Sequence, residues 1–120
     1  MVTFAAWFIF AIGVAHIIYG LARFRSSFSD AVSAGFFDQF WKPELRRTAF
    51  WFTIFGLPLM CIGQIAIRAV AGGDLTLLKI IGFYMLITSV IGITAFPKSP
   101  FWAPLVASLL AIAASYGLFA

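Results

Sequence analysis

Residues 2–22 read VTFAAWFIFAIGVAHIIYGLA, twenty-one positions without a single Asp, Glu, Lys or Arg. A helix needs roughly 20 apolar residues to cross the ~30 Å hydrocarbon core of a bilayer, so this stretch predicts a transmembrane helix. No basic residue precedes it, and RFR follows it where a signal peptide would carry small residues for cleavage. The segment is therefore expected to remain in the mature protein.

The rest of the chain repeats the pattern. Of its 120 residues, 63% are hydrophobic and 10% charged, with mean hydropathy +1.07. A soluble domain carries about 25% charged residues, and this chain lacks the polar surface to cover a core. Three further apolar segments run from Thr48 to Ile67, Leu77 to Phe96 and Phe101 to Phe119. None alternates with period two, and backbone groups in lipid must be satisfied within their own element, so helices are expected rather than a barrel. The expectation is an all-α membrane protein: one domain over residues 1–120, four transmembrane helices, and an amphipathic interfacial segment between the first two.

That interfacial segment is residues 24–40. Phe24, Phe28, Val32, Phe36 and Phe40 recur every fourth position, while Ser26, Ser29, Asp30 and Ser33 supply a polar face. Such a helix lies in the plane of the membrane surface, with a break expected near Gly35. Pro43 is expected at the first position of the next helix, where its missing N–H costs nothing. Pro58, inside the apolar run, predicts a kink.

Basic residues set the expected orientation. Arg23, Arg25, Lys42, Arg46, Arg47 and Lys98 fall in the first and third connections, against Arg68 and Lys79 in the second. The excess places the first and third connections in the cytoplasm and both termini outside it. Trp41, Trp51 and Trp102 fall at the same boundary, where indole rings anchor. The +4 charge is gathered beside the membrane, where it meets anionic lipid. No extended basic face points to nucleic acid.

His16, the only histidine, stands among hydrocarbon side chains. It lies six residues inside the boundary at Ala22, a depth of ~9 Å. Matching depths on the other helices fall at Thr53, Ser89 and Ser108, so a layer of these four is expected. Tyr19 and Arg23 continue the His16 face outward, and Glu44, Arg47 and Trp51 stand at its mouth. An intramembrane ionisable residue is a candidate site. The competing reading makes it interhelical glue, hydrogen-bonded to a Ser, Thr or Tyr hydroxyl. The candidate ligand-binding set is His16, Tyr19, Thr53, Ser89 and Ser108, with Arg23, Glu44, Arg47 and Trp51 as interface or gate. One cysteine and one histidine make no metal motif. No nucleophile triad or phosphate loop is present to suggest an enzyme, and no cofactor is implied.

The blocks AIGVAHIIYGL, AGFFDQF, RRTAFWFTIFGLPLMCIG and FPKSPFW, in that order, resemble a family of small four-helix bacterial integral membrane proteins catalogued as a domain of unknown function. The resemblance runs from about Gly13 to Trp102. It implies a four-helix fold in a bacterial inner or plasma membrane and brings no activity with it. The expected function is a binding or carrier module that holds a hydrophobic or lipid-like small molecule near His16, with membrane lipids as surroundings. The alternatives are an accessory subunit of a larger membrane complex, docked through small-residue faces, and an oligomeric channel or transporter with His16 on its path.

Overall fold

Glycine decides how closely the helices approach. In the computed structural model, which describes residues 1–99 and 101–118, α1 (Val2–Arg23) runs antiparallel to a rod formed by α3 (Glu44–Ile54) and α4 (Gly56–Ala71). A Cβ on Gly13 would stand 2.6 Å from the Met60 nitrogen and 2.9 Å from the Gly56 carbonyl oxygen. A Cβ on Gly56 would stand 2.7 Å from the Gly13 oxygen. Two turns further along α4 and α1 respectively, Gly63 faces the Phe10 backbone and Gly20 faces Thr53. Gly13, Gly56 and Gly63 thus bring backbone against backbone, and Gly20 seats the Thr53 and Phe52 side chains, the close approach on which helix association in lipid depends.

The second antiparallel pair is α5 (Leu75–Ala95) and α6 (Trp102–Ser115). Gly82 receives Ile112, and Gly92 lies beneath the Phe101 ring. The pairs join through α1 against α6 and α4 against α5, closing a ring of four rods. Its interior is made of small side chains. Ala5, Ala6, Ala66, Ala107, Ala111, Ser89 and Ser108 are fully buried, and among the described residues Ile9 and Leu78 are the only large apolar side chains to join them. Phe4, Trp7, Ile18, Tyr84, Ile87 and Ile91 point outward. Large apolar patches on an outer surface mark contact with a membrane or a partner.

Three helices are long and apolar enough to cross a membrane: Val2–Arg23, the Glu44–Ala71 rod of 28 residues, and Leu75–Ala95. The fourth apolar segment is shorter than its hydropathy suggested. α6 has 14 residues, a rise of ~21 Å against the ~30 Å core. It ends because Gly117, at φ +76°, turns the chain left-handed, and the amides of Gly117 and Leu118 donate back to Ala114 and Ala113. Phe119, the expected end of that segment, lies outside the described residues.

The interfacial segment is also shorter than the four-residue spacing implied. α2 covers Arg25–Ser33 alone. Gly35 takes φ +104°, and the amides of Gly35 and Phe36 donate to Val32 and Ala31 at 3.0 and 2.8 Å, closing the helix. Phe36 and Asp38 also have positive φ, so the chain doubles back. Val32 is left exposed, while Phe28 and Phe36 both reach Phe40, which packs against Phe50 of α3 at 5.3 Å. The spacing of four came from two sides of a turn converging on Phe40, not from one helical stripe.

Pro43 caps α3 from just outside, with φ −65° and ψ 166°, and Glu44 is the first helical residue. The rod is interrupted at Phe55, one turn before Pro58. Pro58 has no N–H to donate to Ile54, four residues back, and α3 ends at that residue. Past the interruption α3 leans on α1 and α2, while α4 keeps company with α1 and α5.

Candidate functional site

A groove runs along α3 to its junction with α4 at Phe55. Thr48, Trp51, Phe52 and Phe55 follow the i, i+3, i+4, i+7 spacing of one helical face and form one wall. His16 of α1 and Phe101 complete the lining, with Arg47, in the first turn of α3, at the rim. The cavity is about 530 Å³, within the range of sites that hold small organic ligands.

His16 is half-buried and stacks on Phe52, with ring centroids 4.1 Å apart and planes 15° from parallel. Phe55 stands 5.8 Å away at 59°. Phe52 is the hub of the cluster, since Tyr19 and Phe24 reach the same ring at 5.7 and 5.8 Å. The expected hydroxyl partner is absent: among the described residues no side chain or carbonyl is hydrogen-bonded to the imidazole. The ring is held by its faces, leaving its nitrogens uncommitted.

Arg47 is fixed at the rim from two directions. Its guanidinium lies 3.6 Å from the Glu44 carboxylate and 5.2 Å above the Trp41 ring. Glu44 thus meets Arg47, the helical neighbour three residues on, rather than Arg23, which lies over Phe24 at 5.5 Å. Beside them Arg46 donates to the carbonyl and side-chain oxygens of Gln39, tying the α2–α3 connection to α3.

Of the residues expected at the site, His16, Arg47 and Trp51 line the groove together, and Glu44 orders Arg47 from outside it. The layer of His16, Thr53, Ser89 and Ser108 does not assemble around a common space. Thr53 turns toward Gly20, and its hydroxyl is buried without a partner. Ser89 and Ser108 are buried and donate to carbonyls of their own helices, Met85 and Leu105, each at 2.7 Å. Tyr19 packs on the Phe52 ring and is 54% exposed, away from the groove lining. Equal depth does not fix rotation about a helix axis, and these side chains face other directions.

Thr48, Phe52, Phe55 and Phe101 were not anticipated. The first three were legible as the apolar stripe that also contains Trp51. Phe101 had no such signal, because its place depends on Gly92 offering a flat seat for its ring and on the Trp102 indole donating to the Pro97 carbonyl at 2.9 Å. Among the described residues no three His, Cys, Asp or Glu side chains gather closely enough to hold a metal.

Three of the four sequence blocks that carry the family resemblance meet in this groove: His16 from the first, the Arg47–Phe55 wall from the third and Phe101 from the fourth. No curated protein and no solved structure was found to match the chain. A family model described as "Family of unknown function (DUF6463)" matches residues 2–117, so the chain belongs to that family.

Proposed function

We propose that this chain is a multi-pass membrane protein whose groove beside His16 binds a hydrophobic or lipid-like molecule from the bilayer. The observation that carries the reading is the imidazole itself. It is stacked in place on Phe52, its nitrogens have no partner among the described residues, and it lines a groove together with the rings of Trp51, Phe52, Phe55 and Phe101. An uncommitted polar group in apolar surroundings is costly. A ligand with an apolar body and one hydroxyl or carbonyl would satisfy it. Trp51 and Phe55 are 65% and 48% exposed, so the groove opens sideways, where a lipid-soluble molecule would enter without crossing water.

In this reading the chain crosses the bilayer four times, and α6 is the short pass. It starts beside Gly92 near one end of α5 and finishes where Lys79 sits 4.1 Å over the Tyr116 ring near the other. A short span is accommodated by local thinning of the bilayer at modest cost. The six basic residues at the groove end favour an orientation with that end at the cytoplasmic leaflet and both termini on the other side.

The test is extraction and mass spectrometry of small molecules from protein purified in mild detergent, comparing the native chain with His16→Phe. The substitution keeps a flat ring on Phe52 and removes the nitrogens. Enrichment of one compound class over bulk lipid in the native protein, lost in the variant, is the expected outcome. Identical extracts matching bulk lipid would overturn the proposal.

A further inference from the structure

At the opposite end of the molecule a second groove, about 490 Å³, lies between α4 and α5. Its lining is mainly apolar, but α4 adds Gln64 and Arg68 to it. Cys61, Gln64 and Arg68 occupy one face with Ile65, at the i, i+3, i+4, i+7 spacing, and all are exposed. The far wall carries Asp74, whose side chain caps α5 by accepting from the Leu77 amide at 3.0 Å. Among the described residues Arg68 and Gln64 make no side-chain hydrogen bond, and Arg68 makes no ion pair. Lys79, the other cation at this end, is turned away onto Tyr116.

We propose that this groove is the contact face of a homodimer, with Gln64 meeting Gln64 and Arg68 of each protomer meeting Asp74 of its partner. Three properties favour a second copy. The groove holds one free cation-bearing arm and one carboxylate, so it is complementary to itself under a two-fold axis. A carboxamide is both donor and acceptor, so two copies at the same membrane depth satisfy each other, and interhelical carboxamide bonds are an established device in lipid. A two-fold axis along the membrane normal places each residue opposite its own copy at equal depth. A lipid phosphate at Arg68 would instead meet the negative charge of Asp74.

The decisive experiment uses two full-length variants with different tags, Arg68→Asp and Asp74→Arg, in nanodiscs of phosphatidylcholine. Each variant alone sets like charges across both halves of the interface. The mixed pair restores two opposite-charge contacts. The native chain is expected to run as a dimer by light scattering and to form a covalent dimer when Cys61 is joined by a short bis-maleimide. Self-association of each single variant should fall by about tenfold or more, while the two variants co-purify with each other at the native level. Gln64→Leu should weaken the native dimer several-fold. A monomeric native chain overturns the proposal. So does a dimer that Arg68→Asp leaves unchanged, or a pair of variants that fails to associate while each keeps native helicity.

Discussion

The imidazole of His16 lies face to face with the Phe52 ring, 4.1 Å between centroids, so that the one histidine of the chain is oriented by the most connected aromatic residue of α3. Stacked aromatic pairs contribute ~0.5–1.5 kcal/mol beyond the area they bury. A double-mutant cycle of His16→Leu and Phe52→Leu, read by reversible unfolding in mixed micelles, should return a coupling of that size. Coupling near zero would mean that the two rings are merely adjacent.

The close approach of α1 and α4 makes Gly13 intolerant of a single methyl group. Two of the three atoms that a Cβ would meet there are backbone, Met60 N and Gly56 O, and neither can turn aside. Gly13→Ala should therefore cost ~1–3 kcal/mol despite alanine's better helix propensity. Gly72→Ala is the control. Its nearest neighbour would be 3.5 Å away and its φ is −88°, so loss of unfolded-state freedom should stabilise the fold by ~0.4–1 kcal/mol. Equal effects at the two positions in thermal unfolding would contradict the packing described.

Thr53 carries a hydroxyl that is buried and unpartnered. Replacement by valine keeps the shape and removes the desolvated group. Thr53→Val is expected to raise stability by ~1 kcal/mol and to leave the extractable ligand unchanged, because the side chain faces Gly20 rather than the groove. Loss of stability would show that the hydroxyl is satisfied by something bound.

Orientation is open to direct labelling. In a Cys61→Ser background, Ser33→Cys at the end of α2 and Thr76→Cys in the first turn of α5 are both exposed and at opposite ends of the molecule. An impermeant maleimide added to intact cells should modify the position-76 variant and reach the position-33 variant only after the membrane is opened. The reverse pattern would invert the topology.

The helices were legible because apolar length is a local property. Val2–Arg23 and Leu75–Ala95 fall within two residues of the segments read from hydropathy. The ends that went astray were set by backbone conformation: hydropathy continues through Gly117 and the four-residue phenylalanine spacing through Gly35, yet both glycines reverse the chain. His16, Arg47 and Trp51 could be picked out because each is chemically conspicuous in its segment, and the structure brings all three to one groove. Ser89, Ser108 and Thr53 were misplaced because depth along an axis was available and rotation about it was not. Phe101 required knowledge of the α5–α6 packing.

An interior built from alanine, glycine and serine reverses the usual map of mutational sensitivity. In a water-soluble domain the damaging changes shorten large buried side chains. Here there is little to shorten: Ala6, Ala66 and Ala111 are fully buried and already near the minimum. A saturation scan of this chain should therefore record size, not hydrophobicity, as the forbidden variable along the inner stripes, with leucine as unwelcome there as aspartate. On the outer stripes Phe4, Ile18 and Ile87 should exchange freely among bulky apolar residues. The two periodicities, out of phase by half a helical turn, would let a growth selection redraw the helix faces without any coordinates.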